Sequence, residues 1–586
     1  MRELVKLLMA LAQYYTKTQP DYTDFFLKKL KCYMKKYEDC LIKDIDSGQL
    51  SGVVEQDIHC DVVETFEAFC GLSGNYEIIA KLLDEFDMEK VLEHFDDEKT
   101  YERHRLERFS YKNLHRYICK NIFDDIEKTR GVNSENYFYV HVDDNDILVD
   151  SNGNADINSA EGYVKLDIFS KAEWEYDETI LHMLRSQNEE LAGIIRELYA
   201  PYFTEYYIRS DQLTKEQINF IFRFDEEYPK SYVWHKARFV SDENEQPDGD
   251  GYIFEGVYSY SGSPIKYRNT KLWIEDENVD RAKINAINKT YLPVGGACAD
   301  EDIKETLTGI FAKVKFKKVL LYKVGNGNCI YSYGTSAHEE KRLLYDVGFD
   351  SKKAIKAEIE EMPSPYQLAL KRIAHILPSC VILSHWDTDH YKACVYCRKE
   401  IYDCIWIAPD YYDAGANAKR LGAYLSAINK LLMVDRALPR MLHIPLNYFN
   451  DLTLYIGKKS AYISKQNCEG IAIKIENRKE IRCLMQGDVP YSSLPDEAKF
   501  KNDYPYDYLV VPHHGSKMKY DLLKNEGRAV ASGKAVICCD VNFAKGRPDK
   551  EHYKYLKSCY NEIEMTGNAK TYMEFDLTKK GQLIKN

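Results

Sequence analysis

At 586 residues and a net charge of −13, the chain is long enough for several hydrophobic cores, about three to four domain-sized units. No stretch approaches the roughly 18 uninterrupted apolar residues of a membrane span, so a membrane role would have to come through a partner, and "MRELVKLLMALAQYY" alternates charge with leucine where a signal peptide would carry an apolar block. Sixteen cysteines scattered without framework spacing fit a reducing compartment, and the expected location is cytoplasmic.

The charge is unevenly divided: residues 1–310 carry about −24 and residues 311–586 about +11. A cationic C-terminal part suits an anionic substrate such as a phosphodiester, because a positive rim concentrates anions, while solvated surface on both halves accounts for the same counts.

In chain order, residues 1–130 read as helical: Leu4, Leu7, Leu8, Leu11 and Tyr15 recur at helix spacing, and Phe26, Leu30, Tyr33, Tyr37 and Leu41 repeat the pattern after Pro20 and Asp21. From "NYFYVHV" the pattern turns extended. A further helix is predicted through Leu184, Leu191, Ile195 and Leu198, and "YIFEGVYSYSGSPIKY" reads as a hairpin, so residues 131–300 form a mixed α+β region. Within it, "DSNGNADINSAE" puts Asp150, Asn152, Asn154, Ile157 and Glu161 at calcium-loop spacing, but Ala155 stands where the loop needs glycine and the flanks look like strands, so an Asn-Gly turn is the preferred reading. The turn residues of "YLPVGGACADED" mark a boundary near residue 300, and "KKVLLYKVGNGNCIYSYG" opens a third region, residues 305–586.

That region carries the chemistry. In "ILSHWDTDHYKAC", His385, Asp387, Asp389 and His390 crowd into six residues directly after the apolar run "CVIL", which has the character of a central strand covered on both faces. In such sheets ligand residues emerge at the C-terminal ends of strands. One ion cannot easily use all four donors, but two divalent ions about 3.5–4 Å apart can, and a bridging carboxylate at another strand end is then expected. "IRCLMQGDVP" offers Asp488. "YDYLVVPHHGSK" repeats the arrangement of strand followed by donors, with His513 and His514 before a glycine. The CxxC of Cys394 and Cys397 has no second pair at zinc-ribbon spacing and reads as buried helix cysteines.

The ordered series HxDxDH, GD and HHGS resembles the metallo-β-lactamase superfamily, and in particular its ComEC-type branch of DNA-uptake nucleases. "YKVGNGNCIYSY", "LLYDVGFD" and "NCEGIAIKIENRKEIRCLMQGD" are similar to further segments of that branch, and the resemblance spans about residues 312–580. It implies an αβ/βα metallo-β-lactamase sandwich behind the helical and mixed regions, and one or two Zn²⁺ or Mn²⁺ ions. By position it implies that His385, Asp387 and one histidine of HHGS, His513 before His514, bind one metal. Asp389 and His390 would bind the second and Asp488 would bridge both. Asp346, in "YDVG", would hydrogen-bond a ligand or fix the metal turn, although a plain turn aspartate explains it too.

Two departures stand out. Where relatives carry a histidine near the C-terminus, "NFAKGRPDKEHY" has Arg547, so the second metal either lacks a ligand or gives way to a guanidinium that forks onto phosphate. The glycines expected after HxDxDH are Tyr391, Lys392 and Ala393. The expected reaction is hydrolysis by a metal-bridging hydroxide, with Asp389 orienting it, Lys517 or Arg547 neutralising charge on a phosphorane, and Ser516 and the Gly515 backbone as donors. A phosphodiesterase acting on DNA, RNA or a nucleotide is the first reading. Hydrolysis of a small ester, lactone or thioester is the alternative, and a degenerate metal domain serving as a scaffold is the third. The acidic N-terminal half shows no phosphate loop or base-reading motif and suits a protein partner.

Overall fold

A computed structural model describes most of the chain from Phe138 to Lys585; the longest later segments outside the description are 223–233, 241–249, 351–364, 459–467, 497–505, 519–529 and 541–547. The helices read in residues 1–130, and Leu191, Ile195 and Leu198, lie outside the described residues. The chain divides into two compact units, residues 1–129 with 178–200, and residues 130–177 with 201–586. Apart from the second half of the helix Lys171–Leu184, which belongs to the first unit, everything that follows lies in the second.

Its first part is antiparallel. Strands β1 (Phe138–Val142), β4 (Tyr163–Ser170), β5 (Phe203–Arg209), β6 (His235–Val240), β7 (Gly251–Ser261) and β8 (Lys266–Asn278) close a barrel in the order β1-β4-β5-β7-β8-β6, while β2 (Leu148–Val149) and β3 (Ala155–Asp156) pair separately. Strands β7 and β8 are the hairpin read from the sequence, paired from Gly251 opposite Glu275 to Tyr260 opposite Lys266. Ala155 of the calcium-like segment lies in β3, opposite Val149, and the segment's five candidate ligands lie outside the described residues. Helices α1 (Lys171–Leu184), α2 (Lys215–Ile221) and α3 (Arg281–Thr290) accompany the barrel strands along the chain.

Strand β4 decides what the barrel can do. Its two-residue period sets Val164, Leu166 and Ile168 on one face and Lys165 and Asp167 on the other. The register places Lys165 opposite Tyr207 and Asp167 opposite Glu205. This second face has the polarity of a solvated surface, yet Lys165, Asp167 and Glu205 are all buried.

Beyond residues 292–299, helix α4 (Asp300–Phe311) leads into two mixed sheets. The first contains β9 (Lys315–Tyr322), β10 (Cys329–Thr335), β11 (Glu340–Val347), β12 (Cys380–Ile382), β13 (Ile405–Pro409), β14 (Leu431–Val434), β22 (Tyr572–Asp576) and β23 (Leu583–Lys585), ordered β14-β13-β12-β11-β10-β9-β22-β23. The second runs in sequence order through β15 (Arg440–Pro445), β16 (Asn450–Ile456), β17 (Ile471–Asn477), β18 (Arg482–Met485), β19 (Tyr508–Val511), β20 (Val530–Ile537) and β21 (Tyr560–Met565). One apolar core joins them: Leu321, Ile330, Leu343 and Ile382 from the first sheet meet Leu454, Ile473, Cys483 and Val510 from the second, and α4 adds Ile303, Leu307 and Phe311. Helices α5 (Pro365–Ile373), α6 (Thr388–Tyr391), α7 (Ala416–Ala427) and α8 (Lys550–Cys559) lie between strands in sequence.

Both sheets are parallel where it matters. Strands β11 to β14 pair in parallel, and so do β18 to β21. The chain turns after β11, β12, β18, β19 and β20 therefore fall at C-terminal strand ends, where side chains leave a rigid frame and converge. Gly348, just after β11, makes one such turn possible: its N–H donates to the Asn328 carbonyl at 2.6 Å, Asn328 N–H donates to the Asp389 carbonyl at 3.2 Å, and a Cβ on Gly348 would stand 1.6 Å from that same Asp389 oxygen.

Gly348→Ala should therefore displace the Asp387–His390 turn and lower stability by about 2 kcal/mol or more, as overpacking against backbone does. The control is Gly309→Ala in α4, where nothing lies within 4 Å of the added carbon and the midpoint should hold or rise. Equal thermal midpoints for the two variants would show that the Asp389 turn does not depend on this contact.

Candidate metal centre

Strand β12 is three residues long and fully buried, so Ser384, His385 and Asp387 follow it at a fixed position. Asp387 is the N-cap of α6 by backbone, with its carbonyl accepting from His390 N–H at 2.9 Å, but its side chain makes no cap hydrogen bond. That carboxylate turns instead to His385, with Oδ2 3.1 Å from Nε2. The one-turn helix then presents Asp389 and His390.

Asp346 organises the inner wall. It is fully buried and adopts a left-handed φ of 56°. Its Oδ1 accepts from Ser384 N–H at 2.6 Å, and its Oδ2 accepts from Ser384 Oγ at 2.9 Å and from His390 Nδ1 at 2.8 Å. Holding Nδ1 in this way fixes the tautomer that leaves His390 Nε2 as a lone-pair donor. Nε2 faces Asp488 Oδ1 at 3.1 Å and Asp389 Oδ2 at 3.7 Å.

The other two motifs arrive from the second sheet. Gly487, at a positive φ, carries Asp488 past Ser384, where a Cβ would meet the serine side chain at 2.4 Å. His513 and His514 both take left-handed backbone, φ 49° and 51°, which swings their two rings into one pocket. His514 Nδ1 donates to the Cys538 carbonyl at 2.8 Å, leaving Nε2 3.1 Å from Asp389 Oδ2 and 3.5 Å from Asp488 Oδ1. His513 Nε2 reaches Asp488 Oδ2 at 3.5 Å and its side chain is 22% exposed. His552, a lone histidine of α8, braces this loop: it lies 2.9 Å from the Ser516 carbonyl and 3.2 Å from Tyr491 OH.

Electrostatics mark the pocket as a cation site. Burial would lower the His390 imidazole, but the Asp488, Asp389 and Asp346 carboxylates raise it well above its ordinary value. Burial would likewise raise Asp488, yet His513, His390 and His514 hold it well below the usual carboxylate range. His385 Nε2, His390 Nε2 and Asp488 Oδ1 are buried with no hydrogen bond of acceptable geometry. Orphaned buried lone pairs cost roughly 1–3 kcal/mol each unless a ligand takes them. His385, His390 and Asp488 form one group with metal-ligand spacing, and Asp389, His390 and His514 form another. Nitrogen and oxygen donors in such groups suit divalent transition ions.

All seven residues read as ligands, His385, Asp387, Asp389, His390, Asp488, His513 and His514, thus meet in one pocket. Lys517 is exposed on the loop beyond His514, and Arg547 lies outside the described residues. Ser384, Cys538 and His552 escaped the sequence reading; Ser384 sits inside the motif, while a backbone carbonyl and a lone helix histidine carry no sequence signal. Cys394 is buried, its thiol pushed up to about 12 by burial, and Cys397 donates to the Ala393 carbonyl at 3.3 Å, so the CxxC is structural. Among the described residues no helix is long and apolar enough to cross a membrane.

Comparison with protein-family models gives no match, and neither does comparison with curated proteins. Among solved structures, the metallo-beta-lactamase fold protein YhfI from Bacillus subtilis aligns over 46% of this chain and 100% of its own, at 11% identity and a TM-score of 0.24.

The donor geometry predicts that protein grown with metal and purified without chelator carries at least one equivalent of a divalent transition ion, and that chelation lowers its thermal midpoint. Asp488→Asn, which keeps the volume and removes the shared charge, should strip most of that metal. Elemental analysis returning less than about half an equivalent for the natural chain would rule out a metal centre here.

Proposed function

We propose that the two-sheet region is a metal-dependent hydrolase of the metallo-β-lactamase type that cleaves phosphodiesters, in nucleic acid or a nucleotide. The observation that carries this reading is the gathering of seven nitrogen and oxygen donors around buried, unsatisfied lone pairs at the ends of parallel strands. His385, Asp387, Asp389, His390, Asp488, His513 and His514 would hold one or two ions, with His385, His390 and Asp488 in one group and Asp389, His390 and His514 in another. His514 then supplies the donor that the sequence lacks at Arg547. Divalent ions so held would supply Lewis acidity and lower the pKa of a water towards neutrality.

The chain's own groups do the rest. Asp346 and the Cys538 carbonyl keep the Nδ1 atoms of His390 and His514 engaged, so each ring can donate only through Nε2. Asp389 is the more open carboxylate, with a side chain 22% exposed against 5% for Asp488. It is placed to accept a proton from an entering water, while Asp488 stays enclosed. Lys517 offers an exposed positive charge beside the same loop.

A groove of about 800 Å³ on the first sheet, whose lining shares no residue with the metal pocket, has a composition that would suit a phosphate-bearing, aromatic ligand. Its lining includes Lys317, Lys318, Lys371, Arg372, Tyr333 and Tyr572. Lys318 Nζ lies 5.4 Å from the Tyr333 ring and the Arg372 guanidinium 5.7 Å from the Tyr572 ring. Cations interleaved with aromatic rings suit backbone phosphates and stacked bases.

The test is incubation with single- and double-stranded DNA, RNA, cyclic nucleotides and bis-p-nitrophenyl phosphate, beside p-nitrophenyl acetate and a lactone, with Mn²⁺, Zn²⁺ or EDTA. Phosphodiester hydrolysis should appear, vanish with EDTA, weaken as salt rises, and fall about a thousandfold in Asp389→Asn. Turnover of carboxylic esters alone, or an Asp389→Asn rate within about tenfold of the natural chain, would overturn this assignment.

A further inference from the structure

We infer that the barrel is a working part of the metal centre: β4 and β5 clamp the turn that carries Asp389 and His390, with Lys165 and Glu205 as positioning residues. The inference rests on the metal-centre reading above and assigns a role to a region that the sequence left without one. Helix α6 is four residues long and lacks a side-chain N-cap, too short to hold its own geometry. Its support comes from outside. Lys165 Nζ donates to Thr388 Oγ1 at the start of the turn, and Lys392 Nζ just past its end pairs with Glu205 Oε2, which also accepts from Tyr207 OH at 2.8 Å. Between these grips, the Phe203 ring meets Tyr391 edge-on at 5.3 Å and takes the Lys392 ammonium at 5.3 Å.

Thr388, Tyr391 and Lys392 stand at i, i+3 and i+4, the spacing of one helix face, and all three engage the barrel. Asp389 and His390, between them, engage the metal pocket. One turn of helix thus has a ligand face and a clamped face. Lys165 and Lys392 are 3% and 1% exposed. Apolar packing would bury this surface with equal or greater stability, but it would not fix direction, as a charged donor on a hydroxyl or carboxylate does. The barrel is also anchored apart from the clamp: Asn417 donates to Asp167 at 2.8 Å and accepts from Thr204 N–H at 3.1 Å, and Arg420 pairs with Asp177 at 2.6 Å. Loosening the clamp therefore leaves the barrel docked.

The experiment measures the equilibrium dissociation constant for Zn²⁺ and Mn²⁺ by competition with a chromophoric chelator on the full chain, with the thermal midpoint taken in EDTA as a separate measure of the fold. Thr388→Val keeps the shape and removes the acceptor; Lys165→Met removes the donor. Each should weaken metal binding about tenfold or more, the double variant no further than one alone, and Thr388→Ser, which returns the hydroxyl, should recover to within about threefold. Unchanged affinity in Thr388→Val beside a metal-binding natural chain would overturn the clamp alone. So would Thr388→Ser falling as far as Thr388→Val, since the hydroxyl would then be irrelevant. A natural chain that binds no ion would overturn the metal centre and the clamp together. Should Lys165→Met fail to accumulate, the two Thr388 variants decide the question by themselves.

Discussion

Negative charge packed into a largely buried pocket is the constraint around which this protein is arranged. Asp346, Asp387, Asp389 and Asp488 approach one another through four imidazoles, and all but Asp389 are buried. Two unit charges about 4 Å apart repel by roughly 4 kcal/mol at the effective dielectric of a protein site, so several carboxylates together oppose folding by more than any one hydrogen bond returns. The raised His390 and the depressed Asp488 are two views of one fact: the pocket draws positive charge to itself.

Such a pocket must be built from parts too rigid to relax away from it. Every wall comes from the end of a parallel strand locked into the shared apolar core, and the loops that leave those strands bend sharply. Three of the four non-glycine residues with positive φ, among the described residues, are Asp346, His513 and His514. Backbone of that kind costs of order 1–3 kcal/mol per residue and persists only where the surroundings over-determine it. Here the surroundings are specific: Ser384 and His390 hold Asp346, the Cys538 carbonyl holds His514, and the Asn328–Asp389 contact ties the opening hairpin to the metal turn.

The same physics explains what could be read from the residues alone. HxDxDH, GD and HHGS were legible because each motif is contiguous and follows an apolar run, so strand end and donor occur together. The different surroundings of His513 and His514 were not, since they follow from two left-handed residues whose rings part by backbone geometry that no side-chain pattern encodes. Asp346 was open between turn and support; its contacts with Ser384 and His390 fall 38 and 44 residues away in sequence. Closure of the barrel depends on β1 meeting β6 across nearly a hundred residues, and register over such distances leaves no local trace.

The charge asymmetry is the clearest case of a correct count with an incomplete reading. Acidic and basic halves suggest two solvated faces, or a polar rim for substrate, yet part of the imbalance is internal. Glu205 of the acidic half is buried against Lys392 of the basic half, Asp177 against Arg420, and Asp167 against Asn417. Burial would raise the Glu205 carboxyl, but Lys392 and Lys165 take it below its ordinary value, while burial lowers the Lys392 ammonium despite Glu205 beside it. A buried ion pair left with one partner is strongly destabilising, so the Glu205–Lys392 and Asp177–Arg420 pairs each make one part of the chain depend on the other. Complementary charge here acts less as a surface than as a joint, and the joint lies against the turn that brings Asp389 and His390 to the site.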